Sequence, residues 1–379
     1  RRICKAKNIH DFVAWQKGRF DVLICSYEML AKWADRICQM GEIFDFVVAD
    51  EFHYCKSPTA NRTTALLGAD CAGGGVCDFT SHWWPLTGTP MANDPMDIFP
   101  FLRSVGCMPL EAGDFKRRYF RIRPRTYSTA QTPIEEMIPE LRGLIENNSI
   151  RRTKDQVGLQ LPPIFLTSYL IDGETQPILD MVRAHPGLDN QILHAVATGS
   201  LAGIQADFVA MLRRLIGEAK SVPYAHQLLD EIKAGANKRV VFGIHRSALT
   251  NVRDLLARNG VYAVLVNGDT PEAQRQAAVT AFQTDDRCRV FLGNIRAAGT
   301  GLTLTAASDI DILESDWSPA GNAQAIMRVH RIGQTRNVRA RFPTLANSID
   351  VQVTRIVAEK TAAIAMLDAG GAMQAAPAA

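Results

Sequence analysis

Short apolar runs alternate with stretches of helical periodicity along this chain. VLICSY (22 to 27), FDFVVA (44 to 49), VVFGI (240 to 244), YAVLV (262 to 266), RVFLGNI (289 to 295) and IDILES (310 to 315) are the clearest. Continuous runs of this kind predict strands buried on both faces, hence parallel sheets covered by helices. The intervening helices carry their own start signals. Thr270-Pro271-Glu272 offers an N-cap, a proline at the first helical position and an acid for the helix dipole, and predicts a helix reaching Phe282.

The alternation runs through residues 1 to 106 and again through 220 to 345. Between them, 111 to 219 is mostly polar and helical, with breaks at Pro124, Pro133, Pro139 and Pro162-Pro163. The expected architecture is α/β: a first lobe over 1–110, a mostly helical connector over 111–219, a second lobe over 220–362 and a frayed tail over 363–379.

Composition narrows the class. With 379 residues, 47% hydrophobic and 21% charged, the chain is an ordinary globular protein long enough for two domains. A formal charge of +3 permits a nucleic-acid partner through a local basic face but does not argue for one. The eight cysteines form no CxxC pair and several stand inside apolar runs, as buried free thiols in a reducing intracellular setting do. Cys71, Cys77 and His82 have the spacing C-x5-C-x4-H, which lacks tight ligand pairing and a fourth ligand, so a loop is the better reading than zinc. No signal peptide opens the chain and no run of about 18 apolar residues crosses it, which argues against secretion and membrane spanning.

Two patches carry candidate chemistry. Asp50 and Glu51 stand where FDFVVA runs out, and open α/β sheets place ligands at the carboxyl ends of their strands. Two adjacent acids there can share the chemistry, with Asp50 holding Mg²⁺ while Glu51 orients and deprotonates a water. An acidic strand end facing solvent is the plain alternative. Far along the chain, Ser318-Pro319 is a helix-start signal, and in the helix predicted to follow, Gln324, Arg328 and Arg331 fall at i, i+4 and i+7 on one face. Two guanidiniums pointing one way suit phosphate oxygens, as a finger does in phosphoryl transfer; a solvated basic face is the alternative. Gly299-Thr300-Gly301 follows RVFLGNI, where glycines allow backbone amides close to a phosphate or sugar.

The order of these motifs resembles the Swi/Snf helicase-like ATPases of superfamily 2. DEFHYCKSP (50 to 58) is similar to their DEAH-type box, PLTGTPMANDPMDIF (85 to 99) to the motif coupling nucleotide state to DNA, and QAIMRVHRIGQ (324 to 334) to their motif VI. RAAGTGLTLTAAS and VNGDTPEAQRQ look most like the annealing-helicase (HARP-like) branch. RRTKDQVGLQLPP resembles the family's connector after lobe one, and LRRLIGEAKS its entry to lobe two. Phe52 stands where the family usually has a small residue, and Ser318 where it commonly has Asn.

The resemblance implies two RecA-like lobes clamping Mg-ATP and tracking duplex or forked DNA, with no membrane partner. It makes Asp50, Glu51, Arg328 and Arg331 catalytic and His53, Thr87, Gly88, Thr89 and Gln324 coupling residues. Gly299, Thr300 and Gly301 become a nucleotide loop, and Ser26, Tyr27, His245 and Arg246 DNA contacts. A cytoplasmic, nucleoid or nuclear setting is expected. One part is missing: a phosphate loop needs G-x-x-x-x-G-K-[ST], and no Gly-Lys dipeptide occurs in the sequence. CAGGGVC (71 to 77) has no lysine after it and reads as a flexible loop. The opening Arg1 and the absent loop together suggest a fragment whose start lies upstream. A non-catalytic DNA-binding or scaffold protein of the same fold and an RNA helicase are the rival expectations.

Overall fold

The computed structural model describes residues 2–39, 41, 44–88, 95–125, 128–150, 152, 161–198, 206–295, 301–317, 319–369 and 373–375. The chain divides into two compact units, Arg1–Arg151 and Arg152–Ala379. The boundary therefore falls inside the segment expected to be a connector. Its first part, including the helices Ala112–Tyr119 and Ile138–Asn148, packs into unit 1, where Phe115 and Tyr119 join Phe99, Leu102 and Leu141 in one core. Its later part enters unit 2.

Unit 1 contains strands β1 (Ile3–Lys5) and β2 (Val22–Ile24), paired in parallel, and β3 (Val47–Ala49) and β4 (Trp83–Pro85), also parallel. A hairpin, β5 (Phe120–Arg125) with β6 (Ser128–Pro133), is antiparallel. Helices Ile9–Gln16, Tyr27–Gln39 and Asn61–Leu67 cover one side of the short strands and bury Phe12, Leu30, Ile37 and Leu66. The other side of the strands is not buried as the apolar runs predict: Ile3, Ile24, Phe46, Val48 and Trp84 are all more than half exposed.

Unit 2 contains the buried parallel strands that its apolar runs predict, over a longer span than the expected 220–362. Seven parallel strands run β13 (Met373–Ala375), β7 (Ile164–Ile171), β12 (Val338–Leu345), β11 (Asp309–Ile312), β8 (Arg239–Gly243), β10 (Cys288–Asn294), β9 (Tyr262–Val266). Every residue of β8 and β11 is buried. The period-two alternation of a strand divides them between two layers. Val240 and Phe242 pack with Phe282, Phe291 and Val329, while Val241 packs with Tyr224, Leu228, Val252 and Leu256 on the opposite face.

Two sequence expectations change here. β7, inside the supposed helical connector, pairs with β12 along its whole length, and β13, inside the supposed frayed tail, adds to the edge of β7. The helix expected from Thr270 runs Glu272–Thr284 with Pro271 at its cap, because the Thr270 hydroxyl turns back to accept from the Asn267 amide at 2.9 Å.

Buried charge also crosses the sheet of unit 2. Arg239, at the start of β8, pairs with Glu231 at 2.7 Å, and Arg341 reaches both Glu231 and Asp311, at 2.9 and 2.7 Å. The Tyr224 hydroxyl donates to Asp311 at 2.6 Å. Burial pushes the Asp311 carboxyl up, yet Arg239 and Arg341 outweigh it and hold the group below its usual range. Such a network is favourable only when every member is satisfied.

Candidate functional site

In unit 1 the acidic segment and the Thr-Gly turn are laced together by backbone. The Leu86 N–H donates to the Ala49 carbonyl at 2.9 Å and the Phe52 N–H to the Leu86 carbonyl at 2.8 Å, where β3 and β4 end side by side. Phe52, the unusual residue of the box, is buried edge-on against Trp83 with ring centres 5.6 Å apart, which anchors the short turn Phe52–Cys55.

Glu51 sits in the left-handed region, φ 50 and ψ 47, which costs a non-glycine residue about 1 kcal/mol or more. Its N–H donates to Asp50 Oδ1 at 3.0 Å, and Asp50 is exposed. His53 Nδ1 lies 3.1 Å from Glu51 Oε2 and 3.2 Å from Thr87 Oγ1, with the ring 12% exposed. The structure thus brings Glu51, His53 and Thr87 together. A Cβ added at neighbouring Gly88 would meet open space, while Thr89 lies outside the described residues.

Ser26 and Tyr27 have structural roles as well. Ser26 Oγ accepts from the Met29 N–H at 3.2 Å at the start of the helix Tyr27–Gln39. Tyr27 Oη donates to the Asp50 carbonyl at 2.8 Å, and burial raises its phenol well above the usual value. CAGGGVC is a folded turn. A Cβ on Gly68 would lie 1.6 Å from the Gly73 carbonyl oxygen, and Gly73 and Gly74 take φ of +112 and +89. Cys71 is buried, its thiol pushed up to about 12 by desolvation, and His82 bonds Ser81 Oγ at 2.8 Å.

In unit 2 the predicted arginine helix is shorter than its periodicity implied. It spans Pro319–Ile326 and carries Gln324, leaving Arg328 and Arg331 in the turns beyond it. Beyond Ile326 the backbone tightens into turns: the Arg328 N–H donates to the Ala325 carbonyl at 3.1 Å and the Val329 N–H to the Ile326 carbonyl at 3.0 Å, three residues back instead of four. The Arg328 carbonyl then accepts from the Leu304 N–H at 2.9 Å, and the Val329 carbonyl from Gln334 Nε2 at 3.2 Å.

The same bonds staple the segment after β10 to the arginines. Arg331 Nη1 donates to the Leu302 carbonyl at 3.2 Å, Gln334 Nε2 to Ala307 at 2.6 Å, and Arg336 to Ala306 at 2.6 Å. Gly301, with φ +77, begins this segment; Gly299, Thr300 and Ser318 lie outside the described residues. His330 is buried, its Nε2 2.7 Å from the Pro162 carbonyl. Most of the HRIGQ block therefore acts as a clamp, and Arg331 is its exposed cation.

His245 stands at the N-cap of the helix Arg246–Arg258, and Arg246 forms an exposed pair with Asp269 at 2.7 Å. Sequence reasoning missed the residue beneath them. Glu314, 6% exposed, accepts from the Ile244 and His245 N–H groups, both at 2.9 Å, and meets His245 Nδ1 at 2.6 Å. Gly217 and Gly243 make its room: a Cβ on either would lie 2.0 or 2.9 Å from a Glu314 oxygen. The available signal was the one used at Asp50, an acid ending a buried apolar strand.

The carboxylates fit half of a nucleotide site. A magnesium ion is commonly held by one or two carboxylates together with substrate phosphates, which Asp50 at its strand end can supply. The amide-and-lysine cradle for those phosphates is not among these 379 residues, which contain no Gly-Lys.

These features define a helicase-like α/β protein. An SNF2-related domain model matches residues 6–171 and a helicase conserved C-terminal domain model matches residues 223–333, and the chain belongs to the Swi/Snf-type helicase-like family. Within it, the chain is 29% identical, over 88% of its length and 42% of the relative's, to a SWI/SNF-related matrix-associated actin-dependent regulator of chromatin subfamily A-like protein 1 from Drosophila melanogaster. It is 27% identical, over 87% of its length and 30% of the relative's, to the DNA annealing helicase and endonuclease ZRANB3 of Mus musculus. The chain thus spans less than half the length of these relatives. A loose structural likeness, TM-score 0.40 at 17% identity over 98% of this chain and 78% of the other, links it to a Sulfolobus solfataricus SWI2/SNF2 ATPase core in complex with dsDNA. No described helix is long and apolar enough to cross a membrane.

Proposed function

We propose that this chain belongs to an ATP-dependent DNA translocase or annealing helicase that remodels duplex or forked DNA. The observation that carries the reading is the Glu51–His53–Thr87 contact, which joins a strained acid at a strand end to the turn expected to sense DNA. In this reading Asp50 holds Mg²⁺ and Glu51 takes a proton from the attacking water. His53 passes the state of that site to Thr87, Gly88 and Thr89. Arg328 and Arg331 neutralise charge developing on the γ-phosphate, and Gln324 orients their segment. ATP would supply the phosphoanhydride bond whose cleavage, with the γ-phosphoryl passing to water and ADP leaving, drives the cycle. DNA is gripped mainly by phosphates, so sequence preference is weak.

The test is DNA-stimulated ATP hydrolysis by the natural full-length protein. Glu51→Gln lowers turnover by about 10²–10⁴-fold, the range for losing a general base, while duplex affinity is kept. Turnover equal to wild type in that variant would sink the role of Glu51. His53→Ala keeps basal hydrolysis and loses its stimulation by DNA; undiminished stimulation would remove the relay. A second reading is a DNA-binding scaffold of the same fold without hydrolysis. Absence of any DNA-stimulated turnover in the full-length protein, with DNA binding intact, would select it.

A further inference from the structure

The near-neutral charge of the chain hides one concentrated basic segment. Residues 115–134 contain six basic residues and no acid: Lys116, Arg117, Arg118, Arg121, Arg123 and Arg125. The first arginines are tied down within unit 1. Arg117 pairs with Asp114, and Arg118 meets both oxygens of Glu140 at 3.0 Å. Arg121 is exposed; its backbone stands in the ladder opposite Thr132, and its side chain has no ionic or hydrogen-bonding partner among the described residues.

The last three basic residues occupy alternate positions of β5, and alternate positions of a strand share a face. They stand in register with Thr132, Ala130 and Ser128 of β6, whose sequence, Ser-Thr-Ala-Gln-Thr-Pro, adds only neutral hydrogen-bonding groups. A two-stranded ribbon fits the major groove of B-form DNA, and arginine with Ser, Thr and Gln is the usual chemistry of sugar-phosphate contacts. No acid lies in the ribbon to neutralise it.

We propose that the β5–β6 ribbon is a phosphate-backbone contact for duplex DNA on unit 1, separate from the motif residues assigned above. This rests on the reading of the protein as DNA-acting and adds the place where the duplex is held. The contact is non-specific, because guanidiniums that meet phosphates read charge spacing and not base edges.

The measurement is the salt dependence of duplex binding by the 379-residue chain, followed by anisotropy of a short labelled duplex. Removing one phosphate interaction makes the slope of log K against log salt shallower by about 0.9, so Arg121→Gln alone gives about 0.9 and the triple Gln variant at 121, 123 and 125 about 2.7. The triple Lys variant keeps the charges and the wild-type slope. A wild-type slope in both Gln variants overturns the inference while leaving the proposed function standing. Absence of duplex binding by the wild-type chain overturns the inference, and the proposed function is then judged separately by DNA-stimulated hydrolysis in the full-length protein. An equal loss in the Lys and Gln triple variants makes the ribbon structural, and Arg121→Gln, at an exposed position, then decides whether any charge contact exists.

Discussion

The two units place similar apolar runs in opposite surroundings. In unit 2 the run VVFGI becomes a central strand, buried at every position and packed on both faces. In unit 1 the run FDFVVA becomes a three-residue strand beside one short neighbour, with Phe46 and Val48 55% and 53% exposed. The site residues are consequently held by different means. The unit 2 loops rest on a seven-stranded sheet crossed by a buried ion network. The unit 1 acids are held by a few backbone bonds and a strained residue.

The largest expected effect breaks the ion network. Asp311→Ala leaves Arg239 and Arg341 with Glu231 as their one shared carboxylate and costs up to about 3–5 kcal/mol, the range for removing one partner of a buried pair. The sign of its pH dependence follows from the depressed carboxyl. Stability from Asp311 is full above the unfolded value of about 3.9 and is lost as pH falls through the lower folded value. Hydrogen exchange of the β8 and β11 amides reads unit 2 by itself. Wild-type protection should collapse with acid below about pH 4, with the variant already weak at neutral pH. Equal protection in the two proteins would show that the sheet does not depend on the network.

How far sequence could anticipate the two units follows the same contrast. β8 and β10 lie within one residue of their apolar runs, because a strand buried on both faces writes its burial into nearly every position, and β9 coincides with YAVLV although it ends the sheet and is only half-buried. β7 was missed: its residues IFLTSYLI mix polar and apolar positions at the sheet's side, and Thr167 and Ser168 are exposed. Asp50 and Glu51 were legible from their place after a strand. The contact of His53 with Thr87 was legible only through the family resemblance, which makes both coupling residues; it joins residues 34 apart through backbone lacing that no periodicity records. The arginine helix failed for a related reason. At Arg328 and Val329 the backbone bonds three residues back instead of four and the segment is tied to Leu304, neither of which periodicity records.

A smaller effect isolates the strain in unit 1. Glu51→Gly removes the Cβ that makes φ 50 unfavourable, and should stabilise unit 1 by about 1 kcal/mol as seen in exchange of the β3 amides. The same change deletes the proposed base, so in the full-length protein hydrolysis falls while local stability rises. A destabilised variant would mean that the Glu51–His53 contact contributes more than the strain costs, which would make the two units alike in relying on buried charge.

The smallest effect tests whether the open strand face is a surface. Phe46 and Trp84 meet edge-on with ring centres 5.5 Å apart, yet both remain more than half exposed, so little apolar area is withdrawn from water there. Surface substitutions away from special features change stability by about 0.5 kcal/mol or less. Trp84→Lys should therefore leave unit 1 within that margin while lowering dye binding and self-association, as removal of an exposed apolar patch does. A loss of about 2 kcal/mol, the scale of exposing a buried aromatic, would place Trp84 in a core in solution and remove the difference between the two sheets.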